Sequence, residues 1–380
     1  MTGIGILGVG MHPFGRHSDL DLRDIAARAI NDALDDAGIG PKQVGAAFFA
    51  NSYAGLLNGQ ESIRGQTVLQ HAGLHSIPIT NVENACASGS SALWMAIRSV
   101  AFGDARYALA VGAEKMSVGD LGRTLSALQN SSDTSVTQGL GVQFVSIYAM
   151  RLQDALNRGV LTTGHLARVT VKNQRNGALN PYAQFGSEMT EKEVLEARSI
   201  AGPFTLPMVA GISDGAAAVV VAKQGDNTQA RVLASALTSG ASDGLDAAAT
   251  VRAIRSAYEQ AGVGPEDLDL AEVHDAVSGS ELLYYEQLGL CDPDEIGDFL
   301  DSGATAIGGE MPVNPSGGLT ARGHPVGATG LAQVAELTWH LTGRAGARQV
   351  ESARVGLSQN SGGWLAGDSA ASAVHILGAA

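Results

Sequence analysis

The sequence predicts an α/β protein in which two copies of one domain stack into a layered sandwich. Three observations predict it. The segment from Ala29 to Pro41 (AINDALDDAGIGP) returns in kind from Ala253 to Pro265 (AIRSAYEQAGVGP). That separation is far too long for a solenoid and signals a duplicated domain. Short apolar runs alternate with helix-like stretches along both halves. Finally, Cys86 and His324 occupy matching glycine-rich tracts, one in each half.

Each copy of the repeat reads as an amphipathic helix stopped by glycine and proline. A short apolar strand follows in both, Ala46 to Ala50 and Leu270 to His274. Further strands are expected at Ile4 to Leu7, Ala108 to Val111, Ala217 to Val221 and Val374 to Leu377. Such continuous apolar strands, separated by helices, predict sheets covered on both faces. From Ser117 to Phe204 the composition shifts to Ser, Thr, Asn, Gln and Arg, which predicts an inserted stretch of irregular loops with a few helices. Insertions of that length usually carry ligand contacts. The division expected is residues 1–116 and 205–225 for the N-terminal half, 117–204 for the loop domain and 226–380 for the C-terminal half.

Bulk composition excludes several classes. The 380 residues are 45% hydrophobic and 16% charged, enough for sizeable cores. With 24 basic against 38 acidic residues the net charge is −14, which disfavours nucleic acid and anionic membrane surfaces. Two cysteines, Cys86 and Cys291, rule out a disulfide framework and a cysteine-built zinc site, so no metal is expected. No apolar run reaches the roughly 20 residues of a membrane helix. Neither an export signal nor a peroxisomal ending is legible, and a reducing cytoplasm is the expected compartment.

Cys86 lies in NVENACASGSSAL, where an apolar strand hands over to a helix. A lone cysteine is more often a small buried hydrophobe. Here small flanking residues would let a bulky acyl group approach. A helix starting just beyond would aim free N–H groups at the sulfur, lowering its pKa and holding an oxyanion. Registering Gly89 on Gly327 places Cys86 on His324, in GGLTARGHPVGATG, where Gly323 and Pro325 fix the backbone. A Cys/His pair at two helix entrances is a way to make and use a thiolate. His274 sits at a strand end beside Asp275, a favoured position for site residues in α/β sheets. The turn LSQNSGG (Leu357 to Gly363) offers a backbone N–H for an oxyanion hole, with Asn360 and Gly362 the candidates. Other histidines read as structural or surface groups, and Cys291 as structural. Trp94, Tyr148, Tyr182, Phe185, Tyr284 and Tyr285 would each line a pocket or pack the core.

These tracts resemble the thiolase superfamily, most closely the branch of sterol-carrier-protein-linked thiolases. The resemblance spans the chain: GVGMHPFGR from Gly8, ENACASG from Glu83, GAEKMS from Gly112, NPYAQ from Asn180, SDGAA from Ser213, His274-Asp275 and GHPVGATG from Gly323. It implies a five-layered αβαβα fold, a homodimer or dimer of dimers, and acyl transfer between coenzyme A and a β-ketoacyl-CoA through a Cys86 thioester. His324 becomes the base for Cys86. His274 becomes a donor to the thioester oxygen of the second substrate, and the Cys86 N–H with the Asn360–Gly362 turn the other oxyanion hole. Coenzyme A enters as a substrate, with Lys172 and Arg175 as expected contacts, and no cofactor is bound permanently.

Three departures accompany the resemblance. The late C-x-G cysteine is absent, His274-Asp275-Ala276-Val277 replaces H-D-C-F, and Gln174 replaces a histidine. No second cysteine is left to move the proton beside the thioester, and His274 is the expected substitute. A small zinc-ribbon and OB-fold partner, used by several members of the branch, becomes plausible on that ground. Two other readings stand beside acyl transfer: a retro-aldolase on a β-hydroxyacyl-CoA side chain, and a non-catalytic acyl-CoA-binding subunit. The intact Cys86 tract argues against both.

Overall fold

A computed structural model describes residues 3–225, 227–240, 248–365 and 367–380, so the expected boundary residue 226 lies outside it. The chain opens with β1 (Ile4–Gly15), α1 (Leu22–Ala37), β2 (Ala46–Ala50), α2 (Ala54–Asn58) and α3 (Arg64–His71). β3 (Ile79–Val82), α4 (Ser88–Phe102) and β4 (Tyr107–Glu114) follow. Five helices come next: α5 (Leu121–Gln129), α6 (Thr134–Leu140), α7 (Phe144–Asn157), α8 (Thr163–Ala178) and α9 (Glu191–Glu196). A small hairpin, β5 (Ser199–Ala201) and β6 (Phe204–Thr205), leads to β7 (Asp214–Lys223) and β8 (Ala230–Ser239). The remainder is α10 (Ala249–Ala261), β9 (Leu270–Glu272), α11 (Ser278–Gln287), α12 (Ile296–Asp301), α13 (Gly318–Arg322), α14 (Thr329–Leu341), β10 (Val355–Gly362) and β11 (Ala371–Ala379).

The repeat folds alike in both halves. α1 ends at Gly38 (φ 66°) and α10 at Gly262 (φ 67°), left-handed caps that suit glycine. Each is followed by a 3-10 turn opened by proline, Pro41–Gln43 and Pro265–Asp267, then by β2 or β9. The strand order is β3-β2-β4-β7-β1-β8-β11-β10-β9. β2 runs parallel to β3 and β4, while β7 is antiparallel to β4 and β1. In the other half β9 is parallel to β10, and β11 is antiparallel to β10 and β8. A single parallel bridge from Ala271 to Val313 stands where β3 stands in the first half. The halves join edge to edge where Gly5 and Ile6 pair with Arg231 and Ala230.

Alternation along the strands explains their continuous apolar character. In β7, Ala217, Val219 and Val221 face α4 and α14, whereas Ala216, Ala218 and Val220 face α1. In β8, Val232 joins the central cluster and Ala234 and Ala236 the outer one under α10. The layers are α1 with α3, one half-sheet, α4 with α14, the other half-sheet, and α10 with α11. This is the expected five-layered αβαβα sandwich.

The central helices cross at glycines, which corrects the expected register. A Cβ on Gly330 would lie 2.1 Å from Ser90 Oγ and 2.7 Å from the Ser90 nitrogen. Gly89 abuts the Gly327 carbonyl and the start of α14 in the same crossing. Helix starts at Ser88 and Thr329 pair Gly89 with Gly330, so Cys86 is equivalent to Gly327 and His324 precedes it by a further three residues.

The stretch expected to be irregular is largely helical. Several of its polar residues, Thr170, Asn173, Gln174 and Asn176, are buried on α8, which packs against α11 and α13. Asn173 donates to Asp275 (3.0 Å) and Glu281 (2.9 Å), Asn176 to the Asn314 carbonyl (3.1 Å) and Asn180 to Glu336 (2.9 Å). What reads in part as loop composition is a helix, and the turn after it, hydrogen-bonded into the C-terminal half. No helix among the described residues is long and apolar enough to cross a membrane.

Candidate active site

The chain turns through Glu83–Ala87 between β3 and α4. Ala85 adopts φ 48°, a left-handed conformation without glycine. Ser88 Oγ accepts the Asn84 N–H (2.8 Å) and donates to the Ala85 carbonyl (2.6 Å), which Ser52 Oγ also meets at 3.0 Å. The first N–H groups near the helix entrance, of Ala87 and Ser88, bond the Asn84 and Ala85 carbonyls. They are therefore engaged within the turn and do not face the sulfur as expected. The backbone N–H groups that favour the charged sulfur are instead those of Gly363 and of Cys86 itself.

Cys86 keeps a partly open face, yet burial of its surroundings pushes the thiol up to about 12. The Gly363 N–H opposes that rise, and the Glu114 and Glu83 charges add to it. The expected lowering by the helix is overturned by desolvation.

His324 Nε2 lies 3.3 Å from Cys86 Sγ. Its Nδ1 lies 2.7 Å from Thr329 Oγ1, which donates to the Pro325 carbonyl at 3.0 Å. A hydroxyl already donating must accept from the ring, so Nδ1 carries the proton and Nε2 presents its lone pair to the thiol. The His324 N–H is held by Ser213 Oγ at 3.0 Å. Burial, then His274 and Arg322, hold the His324 ring well below its ordinary pKa. The resting pair is thiol and neutral imidazole.

His274 completes the cluster. Its ring sits 5.1 Å from that of His324 at 70°, and neither of its nitrogens has a hydrogen-bond partner among the described residues. The ligating atoms of Cys86, His274 and His324 all lie within 4.8 Å of one another, a donor set that could also hold a soft metal ion. Burial, then the Arg151 charge, lowers the His274 pKa to about 3. β9 stops at Glu272, short of the expected His274, because the Val273 and His274 N–H groups go to Asn314 Oδ1 (2.8 Å) and Gln359 Oε1 (3.1 Å). Asp275 does not support His274. Its carboxyl turns to α13, accepting from the Leu319 N–H (2.6 Å) and Thr320 Oγ1 (3.0 Å).

The remaining candidates divide. Asn360 lies beneath the helix crossing, its Oδ1 accepting from Ser90 Oγ at 3.3 Å. Gly362 abuts the nucleophile turn, where a Cβ would lie 2.1 Å from the Asn84 carbonyl oxygen. It serves close approach, while the N–H that opposes the rise of the Cys86 pKa is that of Gly363. The sequence shows two adjacent glycines with nothing to choose between them. Lys172 bonds Glu281 (2.5 Å) and the Val313 carbonyl (2.5 Å), so its ammonium is not free for a phosphate. Arg175 is exposed on a separate groove of about 410 Å³ beside Arg168, Leu179 and Ile307, which none of Cys86, His274 and His324 lines.

Glu114 is a positioning group that residue-by-residue reading passed over. It accepts from Asn51 Nδ2 (2.8 Å) and the Ser52, Tyr53 and Gly327 N–H groups (each 3.0 Å), tying the β2 exit to the α14 entrance. Burial raises it to about 7, against the pull of those N–H donors. Its signal is an acid closing an otherwise apolar strand.

Comparisons with known proteins show the family. The family described as thiolase, N-terminal domain, matches residues 4–199, and the thiolase C-terminal domain-like family matches residues 232–379. An acetyl-CoA acetyltransferase of Methanothermobacter thermautotrophicus is 41% identical over 99% of both chains. The benzoylsuccinyl-CoA thiolase subunit BbsB of Thauera aromatica is 37% identical over 94% of each. Rat sterol carrier protein 2 is 36% identical over 94% of this chain and 69% of its own. Among solved structures, the Ltp2-ChsH2(DUF35) aldolase superposes with a TM-score of 0.81 at 23% identity, covering 99% of this chain and 98% of its own. Human mitochondrial 3-ketoacyl-CoA thiolase does so at 0.76 and 18%, covering 99% and 98%. Both structures show the fold. The chain belongs to the thiolase family, and its activity is acyl transfer of the thiolase type.

Proposed function

We propose that Cys86 carries the acyl group as a thioester and that His324 moves the one proton each half-reaction needs. The observation that carries this reading is the 3.3 Å approach of His324 Nε2 to Cys86 Sγ, with Nδ1 anchored by Thr329. In the degradative direction Sγ attacks the β-carbonyl carbon of a β-ketoacyl-CoA while Nε2 takes the thiol proton. The Cys86 and Gly363 N–H groups stabilise the oxyanion. Collapse breaks the α–β carbon bond and leaves an enolate, which accepts that same proton at the α-carbon. Free coenzyme A then attacks the Cys86 thioester, His324 taking the proton from its thiol and returning it to Cys86. Protons balance in both steps without a second cysteine.

His274 fits the role of neutral N–H donor to the thioester oxygen better than that of base. A ring titrating near 3 and lacking a carboxylate partner is a weak base at neutral pH. Retro-aldol and non-catalytic readings lose ground because neither uses a cysteine so placed. Incubation with an acyl-CoA followed by peptide mass spectrometry tests the reading: the acyl adduct belongs on Cys86. Turnover undiminished in Cys86→Ala would refute it.

The loop domain, residues 117–204, is proposed to contact the acyl-CoA. The enzyme is further proposed to work in the cytoplasm as a homodimer. β3, an edge strand open on one side, offers a place for a second copy to pair. A small zinc-ribbon and OB-fold partner remains part of the proposal. The aldolase neighbour is a two-component assembly by its name, and the Thauera relative is named as a subunit.

A further inference from the structure

We propose that Cys86, His274 and His324 together form a binding site for one soft divalent ion of the zinc class, and that the bound ion blocks acyl transfer. The site stands on geometry. The block rests on the reading of Cys86 as the nucleophile.

A tetrahedral zinc holds sulfur at about 2.3 Å and imidazole nitrogen at about 2.0–2.1 Å, which sets its ligand atoms roughly 3.3–3.6 Å apart. Cys86 Sγ and His324 Nε2 already stand at that spacing, 3.3 Å. One ligand atom from each of the three residues lies within 4.8 Å of the other two. Closing the triangle takes a side-chain shift of about 1 Å.

The lone pairs are in place. Thr329 keeps the His324 proton on Nδ1 and leaves the Nε2 lone pair facing the sulfur. His274 is 1% exposed, and among the described residues neither of its ring nitrogens has a hydrogen-bond partner. No hydrogen bond fixes its tautomer, so the ring can offer an N–H to a thioester oxygen or a lone pair to a metal. A buried imidazole without a partner gains from either.

Thiolate with imidazole selects soft ions. Asp275 gives its carboxyl to α13, and Glu114 gives its own to Asn51 and three backbone N–H groups. Neither is free to serve magnesium or calcium, which demand oxygen ligands. On binding, the Cys86 thiol loses its proton to solvent and the sulfur bonds to the ion. Two neutral rings and one thiolate leave the site singly positive. The fourth position is open to water, because no other His, Cys, Asp or Glu among the described residues joins the group. The ion takes the sulfur's electron pair and the His324 nitrogen that would accept its proton, so nucleophile and base are withdrawn together.

Metal titration of the full chain tests this. In a Cys291→Ser background Cys86 is the one remaining thiol. Co²⁺ should give the strong visible bands of a tetrahedral thiolate site, and Cd²⁺ an ultraviolet thiolate charge-transfer band, each saturating at one ion per chain. Zn²⁺ should displace both and stop turnover until a chelator removes it, whereas Mg²⁺ and Ca²⁺ should do neither. Acylating Cys86 beforehand should abolish the bands. His274→Ala and His324→Ala should each weaken Zn²⁺ binding by roughly 10-fold or more, since even a residue that only supports a ligand is worth that much. If His274→Ala fails to fold, His274→Gln, closer in size and without an imidazole, takes its place. Absence of a thiolate band, or affinity unchanged in the His274 variant, overturns the site. The two readings fail separately. An ion held by all three residues with turnover intact would refute the block and, with it, the role of Cys86. An acyl adduct on Cys86 in a protein that gives no thiolate–metal band would refute the metal site alone.

Discussion

His324 presents Nε2 to the Cys86 sulfur at 3.3 Å because Thr329, five residues on, holds its other ring nitrogen at 2.7 Å. Thr329 is the first residue of α14, so the helix entrance that positions the histidine also selects its tautomer. Thr329→Val keeps the shape and removes the acceptor. Turnover should fall by roughly 10- to 100-fold, the cost typical of losing a group that orients a histidine, with the fold intact by circular dichroism. An unchanged kcat would mean that the ring is positioned by packing alone.

The thiol should behave as a thiol. With its pKa pushed up to about 12, the thiolate fraction rises tenfold per pH unit across neutrality. Alkylation of Cys86 by iodoacetamide should therefore climb steadily from pH 6 to 10. A resting thiolate–imidazolium pair would instead give a plateau below pH 7. Cys291, packed against the outer C-terminal cluster, provides the internal comparison by peptide mapping.

The helix crossing tolerates no added methyl. Gly330→Ala would place its Cβ 2.1 Å from Ser90 Oγ and 2.7 Å from a backbone nitrogen that cannot swing aside. The helices must separate, at a cost of about 1–3 kcal/mol, carrying Cys86 away from His324. Thermal unfolding should shift down and activity should fall further than stability does. Wild-type values for both would show that α4 and α14 can part without disturbing the site.

Much of this architecture was legible from residues. The duplication read from Ala29 and Ala253 holds to the level of glycine caps and proline turns, because local stop signals are carried by single residues. Cys86 and His324 were legible because glycines around a helix start leave few alternatives. The Gly89–Gly327 register was not, since two glycine-rich tracts align equally well three residues apart and only packing chooses. The α8 region read as loop because its amides are polar. Only their partners in the C-terminal half, Asp275, Glu281 and Asn314, distant in sequence, make them buried helix. The direction of the Cys86 pKa was missed for a related reason. A helix start is visible in sequence, whereas the desolvation that overrides it comes from the rest of the fold.

His274 separates two chemistries that the residue list alone leaves together. If it is a neutral donor to the thioester oxygen, His274→Gln keeps an N–H near the same place and should retain far more activity than His274→Ala. If it is the base beside the thioester, both variants lose it equally, since an amide cannot take a proton. The structure favours the donor: the ring titrates near 3, and Asp275 is engaged with α13 rather than with the ring. His274→Ala should lower the rate of carbon–carbon bond making or breaking by roughly 10²-fold or more, the loss expected for one oxyanion donor. Acylation of Cys86 by acetyl-CoA should stay closer to normal, because the proposed donors for that step are the Cys86 and Gly363 N–H groups. Rapid-quench measurement of both half-reactions in the two variants distinguishes the cases. Equal and complete loss of the second half-reaction in His274→Gln and His274→Ala would return the proton to His274 and limit His324 to the thiol.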